Sequence, residues 1–264
     1  MRHLDQAFKW TTKSRSRNRL TNIYEPLQPY IITEFAKTIA PDVFLDVGAN
    51  IGYYSVILNA TPEVHAFEPV ALCYEELLEN TRPFPIHCHK VAVSNAIGEV
   101  DMAIVSDLSG ANSVADTTIH ADKNFSRTER VETNTLDKMF GFRGAKILIK
   151  MDIEGHELAA IEGAERLLME NQCLLQIEVY KPEVAEMIES LGFRKLFKCG
   201  PDAYFANFKL DQTEVIEDAL AEYLEDSKKP PLNRKKIKLF RGISLELSER
   251  WVRLLKKVWL NRRV

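Results

Sequence analysis

The rhythm of apolar and polar positions changes repeatedly along the chain. From Ala40 onward, short runs rich in β-branched and aromatic residues alternate with longer stretches of helical spacing, the arrangement that builds a parallel sheet covered by helices. Residues 43–47 form an apolar run that follows Pro41 and ends at a glycine, which predicts a buried strand. Residues 52–59 read as helix, 64–67 as a second strand, and 71–81 as a helix that turns Leu77 and Leu78 inward. A third strand is predicted over 89–94, with an antiparallel neighbour over 99–105 after the Ile97-Gly98 turn. Residues 106–130 are polar and without period, a length that marks either a lid or acceptor loop or a plain surface loop. A strongly apolar strand over 145–153 follows, then a helix over 157–170, a strand over 173–180, a helix over 182–191 and a late strand over 204–209. No internal repeat is visible.

Two further segments flank this unit. Leu27, Ile31 and Phe35 recur at helical spacing within 24–38, which predicts a helix packed on the sheet edge. Residues 211–226 form an acidic helix, and Lys228-Lys229-Pro230-Pro231 reads as a linker. The predicted organisation is therefore a basic segment and helix over 1–39, one α/β domain over 40–210, and an acidic helix, linker and basic amphipathic helix over 211–264.

Charge sharpens this division. The chain of 264 residues has a net charge of -3, with 45% hydrophobic and 28% charged residues, the balance of an ordinary globular protein. Residues 228–264 carry a local balance of +11 and residues 1–20 one of +5, leaving -19 on the body over 21–227. An acidic body with basic ends argues against a nucleic-acid enzyme, whose basic surface normally surrounds its cleft. There is no apolar run of 18 residues, and the basic start lacks the apolar centre of a secretory signal. The four cysteines form no CxxC pair and show no zinc-ligand spacing, which fits free thiols in a reducing, cytoplasmic setting.

Two constellations carry chemistry. The first is the run from Phe44 to Tyr54, a strand, a glycine turn and a helix start. Gly48 and Gly52 permit a tight turn and close approach to the backbone, in a G-x-x-x-G spacing that lacks the middle glycine of pyrophosphate-binding turns. Glu68 ends the second strand, 22 residues after Asp46, where a carboxylate accepts both hydroxyls of a ribose. Together these point to an adenosine-type ligand without a phosphate bridge; a nicotinamide-dependent oxidoreductase, which needs the missing glycine, is the rival. The second constellation is Lys150 and Asp152, alternating at the end of the apolar strand and so sharing one face, with Glu178 at the end of the next strand. Ligands collect beyond the carboxyl ends of parallel strands, and charges on interior strands are costly unless paired or used. A purely structural Lys150–Asp152 ion pair is the plainer alternative.

Three motifs in order give a resemblance. Asp46-Val47-Gly48-Ala49-Asn50-Ile51-Gly52-Tyr53-Tyr54-Ser55, Ala66-Phe67-Glu68-Pro69, and Lys150-Met151-Asp152-Ile153-Glu154-Gly155-His156-Glu157 resemble the FkbM family of methyltransferases, with support from Ala92-Val93-Ser94 and the run from Val131 to Asp137. The resemblance covers roughly residues 25 to 180. It implies a class I, Rossmann-like three-layer α/β sandwich with a mostly parallel sheet, S-adenosylmethionine as donor, and O-methylation of a sugar, glycan or secondary metabolite. Carried over by position, Asp46, Gly48, Asn50, Gly52 and Tyr53 surround the methionine part of the donor, Glu68 holds the ribose, and Val91, Ala92 and Ser94 line the adenine. Asp152 falls between the donor's amino group and the acceptor.

Methyl transfer to oxygen requires an aligned acceptor and a destination for its proton. Asp152, Glu178 and His156 are the candidate bases, with Lys150 orienting Asp152 or the acceptor; His156 lies in the first turn of a helix, where its side chain is expected to face solvent. A hydrated magnesium ion held by Asp152 and Glu178, clamping two sugar hydroxyls, is a further expectation. In the tail, Leu247, Trp251, Leu254, Leu255 and Val258 share one helical face opposite Arg250, Arg253, Lys256 and Lys257. This suits either peripheral contact with the inner face of a membrane or packing on the acidic body or a second subunit. A non-catalytic scaffold working through that tail is the rival of another class.

Overall fold

The computed structural model describes residues 8, 25, 27–105, 111–115 and 125–227. The basic start, most of the 106–124 stretch, the linker and the basic tail lie outside the described residues.

A seven-stranded sheet forms the frame. Its strands are β1 (Val43–Val47), β2 (Glu63–Phe67), β3 (Ile86–His89), β8 (Lys146–Met151), β9 (Gln172–Glu178), β10 (Arg194–Cys199) and β11 (Asp202–Ala206), in the order β10-β11-β9-β8-β1-β2-β3. The five strands from β9 to β3 run parallel, while β11 is antiparallel to both β9 and β10. The chain leaves β1 toward β2 on one side and returns through β8 on the other, so a topological switch point lies between β1 and β8.

Both faces are covered. Val43, Leu45 and Val47 of β1 point with Ile147, Ile149 and Met151 into one core. That core is closed by the short α4 (Leu136–Met139), α5 (Glu157–Glu162), α6 (Glu165–Glu170) and α7 (Pro182–Ser190). Phe44, Leu148, Leu174 and Tyr204 point the other way, into a core closed by α1 (Gln28–Ile39), α2 (Tyr53–Ile57) and α8 (Thr213–Ser227). Strand alternation and two apolar faces make the near-continuous hydrophobic runs of β1, β8 and β9. Helix α3 (Ala71–Thr81) packs through Leu77 beside Ala49 and Ala66. The result is the Rossmann-like three-layer sandwich that the sequence led us to expect.

A second sheet of four short strands stands beside the first: β4 (Ala92–Val93), β7 (Arg127–Asn134), β5 (Gly98–Ile104) and β6 (Ser113–Val114). It changes the reading of three segments. The third strand of the main sheet is β3, earlier than expected, and the 92–93 part of the predicted strand joins β7 instead. The antiparallel partner of β5 is β7 and not a strand of the main sheet. Residues 127–134, which begin within the polar stretch, form a strand whose residues point alternately outward and toward Val131's small core.

Other departures have local causes. The predicted helix over 157–170 is two helices parted at Gly163 and Ala164, and Gly163 passes so close to the end of β4 that a Cβ there would meet the Ser94 carbonyl oxygen at 2.0 Å. Leu78 is exposed and only Leu77 faces inward. α1 packs against α8 over the sheet face, and at its β10–β11 edge Phe35 meets Phe197 and Tyr204. The sequence pattern hides β10, because its Arg194-Lys195 start and Lys198 mask an edge strand, and the last strand begins two residues earlier than predicted. No helix among the described residues is long and apolar enough to cross a membrane.

The Gly163 contact yields a direct expectation. Gly163→Ala should lower the free energy of unfolding by about 2–3 kcal/mol in a urea titration, because backbone at 2.0 Å must move to admit the methyl group. A change within about 0.5 kcal/mol would show that the helix break does not depend on this contact.

Candidate active site

The turn after β1, where the donor is expected, forms one side of the site. Gly48, Asn50 and Gly52 all take left-handed backbone angles, with φ of 82°, 52° and 83°. The glycines serve close packing inside the protein. A Cβ on Gly48 would lie 2.0 Å from the Asp152 carbonyl oxygen, and one on Gly52 would lie 2.6 Å from Leu77 Cδ1. The turn is thereby pressed against the end of β8 on one side and against α3 on the other. Its amides at Gly48 and Ala49 donate to the Phe67 carbonyl, and the Asn50 amide donates to Glu68 Oε2 at 2.9 Å. The Val70 amide donates to Glu68 Oε1 at 2.9 Å, so both oxygens of the expected ribose ligand are held in place by backbone.

Asp46 is fully buried at the end of β1. Its Oδ2 accepts from the Ser55 amide at 2.9 Å and from the Ser55 hydroxyl at 2.5 Å, while Oδ1 has no hydrogen-bond partner among the described residues. Burial raises its carboxyl above the ordinary range, against the pull of Lys150 and Ser55. Tyr53 packs edge-on to Phe8 and Tyr54 at 5.4 and 5.6 Å, which places its ring within the apolar layer under α1 and α2.

Beneath the other side of the site, the register places a row of polar side chains across the sheet. Asp46, Lys150, Gln176 and Tyr204 are cross-strand partners in sequence from β1 through β8 and β9 to β11, all on the face covered by α1. Lys150 is 3% exposed. Its ammonium donates to Asp152 Oδ2 at 3.0 Å and lies 4.8 Å from the centre of the Tyr54 ring, whose hydroxyl donates to Glu25 at 2.6 Å. Burial pulls the Lys150 pKa down, but the charges of Asp152, Glu25, Asp46 and Asp202 outweigh it and hold the ammonium firmly charged.

One step nearer the rim, Glu178 pairs in register with Asp202. Burial, reinforced by the charges of Asp152 and Asp202, pushes the Glu178 carboxyl up to about 10, with the Tyr180 hydroxyl opposing. Burial and Glu25 push Asp202 up to about 7; its two oxygens accept from Gln28 and Gln176 at 3.2 Å each. The expected trio of Lys150, Asp152 and Glu178 is thus gathered at one rim.

His156 departs from expectation. It is buried, 8% exposed, where solvent exposure was predicted, because α5 turns it inward toward the second sheet. Its Nε2 lies 2.9 Å from Ser94 Oγ, and burial lowers its pKa. His156 therefore braces the 92–94 segment expected to line the adenine. Val91 and Ala92 are buried on either side of that segment, in different cores. The neighbouring Glu157 shapes the loop after β8, accepting from the Ile153 amide at 3.2 Å and from the Gly155 amide at 3.1 Å.

Several polar residues of the site are missing from the sequence reading. Gln176 alternates with Glu178 just as Lys150 does with Asp152, so the run 173–179 does carry a signal for it. Glu25, Gln28 and Asp202 carry none, since only the packing around α1 and the β9–β11 pairing brings them together, while Tyr54 stands in the first motif with no sign there of its contact with Lys150.

The strand order and the switch-point site define a class I methyltransferase fold. A family model described as the methyltransferase FkbM domain matches residues 46–200, and the chain belongs to that family. Hexuronic acid methyltransferase AglP of Haloferax volcanii is 29% identical over 132 residues, covering 48% of this chain and 52% of the relative. The chain thus spans about half the length of the curated relative it matches. Among solved structures, methyltransferase FkbM of Methylobacillus flagellatus KT aligns with a TM-score of 0.48 at 18% identity, covering 69% of this chain and 49% of that one. Magnesium protoporphyrin IX methyltransferase of Synechocystis PCC 6803, solved with bound SAM, aligns with a TM-score of 0.41 at 10% identity, covering 73% and 90% respectively.

The raised carboxyl of Glu178 makes stability depend on pH. With the folded value near 10 and the ordinary one at 4.5, the folded state holds a proton that the unfolded state releases. Its contribution is full below about pH 4.5 and is lost as pH rises through the folded value. In chelator-treated buffer, Glu178→Gln should raise the thermal midpoint at about pH 8 and leave it nearly unchanged at about pH 5. An equal shift at both pH values would show that Glu178 does not carry this proton.

Proposed function

We propose that this chain transfers a methyl group from S-adenosylmethionine to a hydroxyl of a sugar or glycan. The observation that carries this reading is the contact between Gly48 and the Asp152 carbonyl, which seats the donor turn directly against the charged acceptor rim. The residues fit the donor: Asp46 offers a buried oxygen in need of a donor group, and the Glu68 carboxylate is held in place by two backbone amides where a ribose is expected.

When bound, S-adenosylmethionine supplies a reactive methyl on a sulfonium, so the chain's own work is alignment and proton removal. Asp152 is the group placed to receive the acceptor's proton as the new carbon–oxygen bond forms and the carbon–sulfur bond breaks. Lys150, itself locked by burial and by the Tyr54 ring, fixes the Asp152 carboxylate. Glu178 is a poorer base, because near neutral pH it already carries a proton. A sugar acceptor is favoured by family membership and by the hexuronic acid methyltransferase among its relatives.

Transfer from donor labelled in the methyl group to a panel of hexoses, hexuronates and amino sugars tests the reading. Incorporation into at least one sugar is expected, with Asp152→Asn lowering kcat by about 100-fold or more. Labelling of non-carbohydrate acceptors alone would remove the sugar assignment, and an undiminished kcat in Asp152→Asn would remove that residue as base.

A further inference from the structure

Around the Lys150 pair the rim gathers three carboxylates, two from the loop after β8 and one from the end of β9. Asp152 and Glu154 follow β8 and Glu178 ends β9, and one carboxylate oxygen from each lies within 4.8 Å of the others. Oxygens bound to one cation at about 2.0–2.6 Å lie at most about 5 Å apart, so this spacing fits a single coordination sphere.

Acidic groups meet at many protein surfaces, but Glu178 is different. It is 7% exposed, and its Oε2 has no hydrogen-bond partner among the described residues even though the Tyr180 hydroxyl bonds the same carboxylate. A buried carboxyl oxygen without a partner is costly, and a cation bound there satisfies it while displacing the carboxyl proton. Lys150 does not fill this need, because its ammonium bonds Asp152 and is shared with Glu25, Asp46 and Asp202. The donor set is oxygen only, which selects hard ions over zinc or copper.

We propose that Asp152, Glu154 and Glu178 bind one divalent cation of the magnesium and manganese class. Glu154 is the ligand that the sequence did not reveal. Such an ion supplies charge next to the acceptor oxygen and a second anchor for a neighbouring hydroxyl. That role rests on the function proposed above, whereas the binding itself does not.

The probe is Mn2+, titrated into purified full-length protein while the electron paramagnetic resonance signal of the free ion is followed. Saturation at one ion per chain is expected, with a Kd on the order of 10⁻⁵–10⁻³ M and displacement by Mg2+. Glu154→Gln and Glu178→Gln should each weaken binding by about tenfold or more, and bound Mn2+ should raise the thermal midpoint of the intact chain but not of the variants. Absence of saturable binding in the intact chain overturns the proposal, as does binding that both variants retain unchanged, which marks scattered surface carboxylates. A parallel titration with S-adenosylmethionine separates the two claims. Mn2+ binding without donor binding supports the cation site and removes the functional reading; donor binding without Mn2+ binding does the reverse.

Discussion

Lys150 lies at the carboxyl end of the central strand β8, almost out of reach of water, with carboxylates on nearly every side. Asp46 is its neighbour across β1, Asp152 bonds it directly, and Glu25 and Asp202 reach it from α1's approach and from β11. Removing one partner of a buried charge set costs far more than the set contributes, because the remaining charge is left uncompensated. Here the asymmetry is extreme, since one ammonium serves several acids. Burial first, and then this surplus of neighbouring carboxylates, makes Asp202 and Glu178 hold protons at pH values where carboxyls ordinarily do not.

This charge knot also ties the two halves of the site together. The Asp152 amide donates to the Val47 carbonyl, and the Asp152 carbonyl fills the space where Gly48 lacks a side chain. The turn after β1 and the rim at the end of β8 are therefore packed directly against each other. Asp46 takes part in both: it stands in the polar row with Lys150 and anchors the first turn of α2 through Ser55. A methyl group moving between donor and acceptor needs this kind of fixed separation, because alignment supplies much of the acceleration.

Much of this is legible in the residues themselves. β1, β2, β8 and β9 declare themselves as apolar runs, and the alternation of Lys150 with Asp152 is enough to place both on one face. Glu68 and Glu178 are legible as strand ends. What stays hidden depends on contacts between distant segments. Nothing local announces the tight passage of Gly163 against the Ser94 backbone, nor the inward turn of His156 beside the Ser94 hydroxyl. The second sheet escapes a reading by pattern because its strands are short or half-exposed, so they resemble loop. In sequence Glu154 is one more acid in a charged loop; only the fold brings its carboxylate beside Glu178.

Calorimetric titration of the donor into the purified chain asks most directly whether the turn between β1 and α2 holds S-adenosylmethionine. Saturable one-to-one binding is expected, weakened about tenfold or more in both Asp46→Asn and Glu68→Gln, each of which removes one charge-assisted contact to the donor. Binding that both variants leave unchanged, or no binding by the intact chain, would refute a donor site at this turn.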